Sequence, residues 1–170
     1  MINWKLGVVK MNYNPVVAAG TLIPKYMTVN SGLFVVMGAS AALTPTPGLL
    51  AYGSSKAAAH AYVQSLGLTT GKALKNKHLH RDKSPDAIFQ RQLTPYLKEL
   101  TVCGILPSTI DTEANRIAMP EEDFGTWTPP LDIAQQIGTW LEKPALKPHS
   151  RSLVKRRVIS VCRLSIFWVL

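Results

Sequence analysis

Gly32-Leu33-Phe34-Val35-Val36-Met37-Gly38 is a short, unbroken apolar run closed by a glycine at each end. A strand buried on both faces reads this way, and such strands are typical of parallel sheets. The next ten residues, Ala39-Ser40-Ala41-Ala42-Leu43-Thr44-Pro45-Thr46-Pro47-Gly48, are small and broken by two prolines and a glycine, which marks a loop. From Leu49 to about Leu68 the chain is rich in alanine, with Lys56 and His60 as its only basic side chains. A largely buried helix is expected there. Leu100-Thr101-Val102-Cys103-Gly104-Ile105-Leu106 reads as a second buried strand, stopped by Pro107. Strand, loop, helix and strand in this order predict a right-handed parallel crossover, and hence an α/β fold.

The helix carries Tyr52-Gly53-Ser54-Ser55-Lys56 in its first turns. Residues four apart lie on one helical face, so Tyr52 and Lys56 stand one above the other. An ammonium held there favours the phenolate, lowers the tyrosine pKa and makes the hydroxyl a usable proton donor near neutrality. The spacing alone is a weak motif. Its setting strengthens it, because open α/β sheets bind ligands beyond the carboxyl ends of their strands, where Ala39-Ser40 and Pro107 to Thr112 would also lie.

With these residues in place the chain resembles the short-chain dehydrogenases/reductases, and within that superfamily the dihydropteridine reductases. The matching stretches are Ala41 to Gly48, Tyr52-Gly53-Ser54-Ser55-Lys56-Ala57-Ala58-Ala59-His60 and Leu106-Pro107-Ser108-Thr109-Ile110-Asp111-Thr112. Asn115-Arg116, Met119-Pro120-Glu121-Glu122-Asp123-Phe124 and Trp127-Thr128-Pro129 narrow the match to the reductase family. The resemblance implies a Rossmann-like fold and reduction of a quinonoid dihydropterin to the tetrahydro form. It implies NADH as donor, with NADPH as the alternative. Tyr52 would protonate the pterin, Lys56 would hold the nicotinamide ribose, and Pro107, Ile110 and Thr112 would line the nicotinamide carboxamide. It also implies a homodimer formed through helix 49–68. The superfamily's usual serine, thirteen residues before the tyrosine, is Ala39 here, a departure that the dihydropteridine reductases share.

Neither G-x-x-x-G-x-G nor G-x-G-x-x-G occurs in the sequence, although a pyrophosphate-binding turn of that kind opens the family fold. The expectation is therefore a partial fold, the C-terminal half of a parallel sheet with flanking helices, spanning 1–155. A catalytically inactive fragment that dimerises or binds a partner is the alternative reading. Two stretches fall outside the resemblance: a basic insertion at about 72–95 and a divergent tail at 156–170. They bear most of the chain's excess positive charge, since 72–98 holds seven Lys/Arg against two Asp and 143–170 holds seven Lys/Arg and no acid. No nucleic-acid-binding motif accompanies either, so the insertion reads as a solvated, partly disordered loop. The tail's apolar end, Leu164 to Leu170, is far short of the roughly 20 residues that span a membrane.

Other candidates have plainer readings. His78 and His80 lack cysteine or carboxylate partners at ligand spacing, so no metal is expected. His60 reads as a packing or dimer residue. Glu121, Glu122 and Asp123 read as an acidic first helical turn after Pro120, and 132–141 as an amphipathic helix with Ile133, Ile137, Trp140 and Leu141 on its apolar face. Two scattered cysteines and no secretory signal at the N-terminus make the cytoplasm the expected setting.

Overall fold

The computed structural model describes residues 14–27, 32–69, 83–148 and 152–156. The order is α1 (Asn14–Tyr26), β1 (Gly32–Met37), α2 (Leu50–Thr69), α3 (Pro85–Leu97), β2 (Leu100–Pro107), α4 (Glu113–Ala118), α5 (Pro130–Glu142) and β3 (Ser152–Arg156). Single turns of 3-10 helix lie at Ser40–Leu43, Pro47–Leu49, Phe124–Thr126 and Pro144–Leu146.

The three strands form one sheet in the order β1-β2-β3, parallel throughout. Gly32 pairs with Leu100 and Met37 with Ile105, so β1 and β2 begin and end together. Cys103 pairs with Ser152 and Pro107 with Arg156, which sets β3 further toward the carboxyl edge. No strand was expected at 152–156. Among the described residues β1 stands at the edge of the sheet, so its outer backbone groups are free of a strand partner.

Alternation along the strands divides the core in two, as the two-residue period of a pleated strand requires. Phe34 and Val36 of β1 join Leu100 and Val102 of β2 on one face. There they meet Ala19 and Ile23 of α1, Ala59, Val63 and Leu66 of α2, and Leu93 of α3. Leu33, Val35 and Met37 point the other way with Cys103 and Ile105, against Ile133 and Trp140 of α5. Helices therefore cover the sheet on both sides, which is why both strands read as unbroken apolar runs. Burial pushes the Cys103 thiol up to about 12. Cys162, His78, His80 and the apolar tail lie outside the described residues.

Three expectations change. The basic insertion is not a loop over its second part, because 85–97 is helical and Leu93 is fully buried. Ser84 caps α3 by accepting the Ala87 N–H at 3.2 Å, and Pro85 occupies the first helical position, where a missing N–H costs nothing. The Tyr96 hydroxyl donates to the Pro24 carbonyl at 2.9 Å, while Gly20 leaves room for the Phe89 ring, so α3 is fastened to α1. Helix α2, expected to be largely buried, exposes Ala57, Ala58, Ala61 and Leu68 along one side. Leu141 lies 61% exposed while Ile133 and Trp140 are buried. At 100° per residue Ile133, Ile137 and Trp140 share a face, and Leu141 falls roughly 80° away from Ile133.

Candidate functional site

The carboxyl edge of the sheet is where β1 ends at Met37 and β2 at Pro107. Helix α2 returns across that edge. Its start is set by the Pro47–Leu49 turn, in which Leu49 N–H donates to the Thr46 carbonyl at 2.9 Å. Gly53 packs directly beneath Thr46, and a Cβ at that position would overlap the threonine hydroxyl. The glycine lets the loop close on the helix immediately beside Tyr52.

Tyr52, Lys56 and His60 follow at intervals of four and share one face of α2. Tyr52 is 40% exposed, Lys56 is half-buried and His60 is buried. Lys56 Nζ donates to the Met37 carbonyl at 2.9 Å. His60 Nε2 accepts the Ala39 N–H at 3.2 Å. The two side chains thus hold backbone groups on either side of Gly38 at the end of β1.

The electrostatics differ from the expectation. Burial raises the Tyr52 pKa above its ordinary value, whereas proximity to Lys56 was expected to lower it. Burial is its one cause, and the Lys56 ammonium is bonded to a backbone carbonyl of β1. Burial also lowers the Lys56 pKa. A raised pKa leaves the hydroxyl protonated at neutral pH, as an ordinary tyrosine is, and makes it a weaker acid than the expectation had it. His60 is lowered by burial first and by the Lys56 charge second, so it stands neutral at neutral pH. The Ser55 hydroxyl donates to the Tyr52 carbonyl at 2.7 Å. Ser54 is exposed.

The stretch after β2 completes the edge. Pro107 is buried as the last residue of the strand, and Ile110 forms a parallel bridge to Thr128. Thr128 N–H donates to the Thr109 carbonyl at 2.7 Å, and Asp111 N–H to the Thr128 carbonyl at 2.9 Å. Thr112 caps α4 by accepting the Asn115 N–H at 3.3 Å, and Asn115 Nδ2 donates to the Ile110 carbonyl at 2.8 Å. Both groups retain capacity for a ligand, because a carbonyl has two lone pairs and the threonine hydroxyl keeps its proton to give.

The residues that narrowed the resemblance turn out to build this segment. Arg116 makes two parallel bonds to Asp111, at 2.6 and 2.8 Å, and lies over the Phe124 ring at 4.9 Å. The ion pair holds the Asp111 carboxyl below its usual range. Phe124 in turn packs on Trp127, which is buried. The acidic run is not a helical turn: Glu121 and Glu122 are exposed in a turn, and Asp123 caps the 3-10 turn by accepting the Gly125 N–H at 2.9 Å. Sequence reasoning left His60 outside the site, although its spacing of four from Lys56 was the signal that pointed to it.

A dihydropteridine reductase of Dictyostelium discoideum is 32% identical over 149 residues, which is 88% of this chain and 54% of that protein. The chain is a relative of dihydropteridine reductase with a short-chain dehydrogenase/reductase fold. It spans about half the length of this curated relative. Among solved structures, 4-hydroxyisoleucine dehydrogenase complexed with NADH matches with a TM-score of 0.59 at 18% identity, over 90% of this chain and 57% of that one. A short chain dehydrogenase of Shigella flexneri complexed with NADP matches with a TM-score of 0.61 at 18% identity, over 89% of this chain and 52% of that one. At such identity these two structures establish the fold. No protein-family model matches the sequence.

Proposed function

We propose that the chain serves the reduction of a quinonoid dihydropteridine to its tetrahydro form, with Tyr52 as proton donor and Lys56 on the nicotinamide ribose. The observation that carries this reading is the 32% identity to a dihydropteridine reductase over 149 residues. Its support from geometry is the half-exposed Tyr52 one turn before Lys56, at the carboxyl edge of a parallel sheet.

The residues fit the nicotinamide end of a dinucleotide. Lys56 offers a cation, and the Ile110 carbonyl and Thr112 hydroxyl offer the acceptor and donor that an amide needs. Nothing in the sequence has the form of a glycine-rich pyrophosphate turn. When bound, reduced nicotinamide supplies the hydride. Tyr52 supplies the accompanying proton from its hydroxyl to a pterin ring nitrogen, and the resulting phenolate is reprotonated from water. The pterin gains two electrons and two hydrogens, and the balance closes. The donor is NADH, with NADPH as the alternative, in a cytoplasmic setting. A homodimer forms through α2, whose small exposed residues Ala57, Ala58 and Ala61 suit close approach of a second copy.

The missing glycine-rich turn favours a second reading, a non-catalytic fragment that only dimerises or binds a partner. Calorimetry with NADH, followed by pterin-dependent NADH oxidation, separates the two. The enzyme reading expects saturable binding and turnover that Tyr52→Phe cuts by roughly 10²–10⁴-fold with thermal unfolding unchanged. Full turnover in that variant would remove Tyr52 from the chemistry, and no binding at all would select the second reading.

A further inference from the structure

Lys56 and His60, one helical turn apart, grip the two residues that flank Gly38 at the end of β1. Lys56 Nζ takes the Met37 carbonyl at 2.9 Å, and His60 Nε2 takes the Ala39 N–H at 3.2 Å. Between them lies Gly38, buried, where a Cβ would run into His60 Nε2 and the Leu106 side chain. The imidazole therefore lies against bare backbone. Gly38 N–H in turn donates to the Ile105 carbonyl at 2.9 Å, so the strand pairing with β2 runs up to the same point.

We propose that His60 is a positioning residue: its neutral imidazole fixes Ala39, and thereby presents the Met37 carbonyl to Lys56 and holds the Tyr52 face of α2 at the sheet edge. The chemistry requires this form of the ring. Nε2 can accept the Ala39 N–H only when it carries no proton, so the ring proton sits on Nδ1. Ala39 is 4% exposed, and without the imidazole its N–H has no water to turn to. The shortest relief is a shift of residues 38–39, and Met37 is the adjoining residue. The ammonium then loses its anchor.

The inference rests on the site described above but not on turnover, and its test is built accordingly. Nitrogen NMR of the imidazoles in the 170-residue chain at neutral pH should show His60 with Nε2 unprotonated and Nδ1 protonated. Acetylation of Lys56, followed by peptide mass spectrometry, reads the anchor. His60→Phe should leave the chain folded and speed labelling of Lys56 by roughly 10–100-fold, the worth of one hydrogen bond to a charged group. His60→Gln, whose amide oxygen can accept from Ala39, should restore slow labelling. Unchanged labelling in a folded His60→Phe chain, or fast labelling in His60→Gln equal to that of His60→Phe, would overturn the proposal. If His60→Phe does not fold, the wild-type imidazole decides it, because a protonated Nε2 could not accept the Ala39 N–H. Absence of turnover in every variant would count against the reductase reading and leave the labelling result standing.

Discussion

Lys56 Nζ lies 2.9 Å from the Met37 carbonyl oxygen, so the cation of the Tyr-x-x-x-Lys pair is fastened to the strand and not to the phenol. A lysine tied in this way is rigid, and rigidity at the sheet edge is what a ribose-binding group needs. The same contact makes Lys56 a structural residue, and experiment can separate that duty from the ribose contact proposed for it.

Lys56→Ala should lower stability by about 1.5–3 kcal/mol, the range for a hydrogen bond to a charged group, and should weaken NADH binding as well as rate. Chemical denaturation reads the first and calorimetry the second. Unchanged NADH affinity in a folded variant would remove Lys56 from the ribose.

His60 makes the fold sensitive to mild acid. In the folded chain its pKa is lowered from 6.5, by burial and then by the Lys56 charge, whereas the unfolded chain keeps the ordinary value. Between those two values the unfolded state binds a proton that the folded state refuses, so stability rises with pH. The contribution is complete above about pH 6.5 and is lost as pH falls through the lowered folded value. Asp111 acts in a separate window, below its ordinary 3.8, because its folded pKa is lowered by Arg116. Urea midpoints should therefore fall from pH 7.5 toward pH 5, and fall less in His60→Gln. Equal slopes in the two proteins would show that His60 does not titrate with folding.

Tyr62 packs its ring edge-on to Phe34 at 6.5 Å, yet its buried hydroxyl has no hydrogen-bond partner among the described residues. Burial pushes its pKa up to about 12. Tyr62→Phe keeps the ring contact and removes an unsatisfied polar group, so it should raise stability by about 1 kcal/mol. Thermal or urea unfolding checks this, and a loss of stability would mean that the hydroxyl has a partner after all.

The β1-α2-β2 unit was legible because strands covered on both faces and a helix crossing between them each leave a local pattern in residues 32–107. Tyr52 and Lys56 were legible from spacing. Their electrostatics were not, because which acceptor a flexible lysine finds is settled by tertiary packing, here the Met37 carbonyl. His60 was read as packing for the same reason: its partner is a backbone N–H twenty-one residues away. Strand β3 escaped notice because Ser152-Leu153-Val154-Lys155-Arg156 is short and ends on two charged residues, and its pairing with β2 is its main qualification as a strand. Charge counting across 72–98 hid α3. Its signals were present in Ser84-Pro85, a cap followed by a first-turn proline, and in Phe89, Leu93 and Tyr96 at helical spacing.

Leu93 tests that correction. It is fully buried, and it belongs to the same core as Ile23 of α1, Val63 of α2 and Val102 of β2. A residue of a solvated insertion would tolerate truncation, whereas a core leucine leaves a cavity that its neighbours fill only in part. Leu93→Ala should therefore cost about 2–5 kcal/mol, a large fraction of the stability of a domain this size. Gln92→Ala, on the exposed side of the same helix, should shift the urea midpoint by little. Equal, small effects of the two substitutions would return the segment to the status of a loop, while a large effect of Leu93→Ala alone makes α3 part of the domain that holds Tyr52 and Lys56 in place.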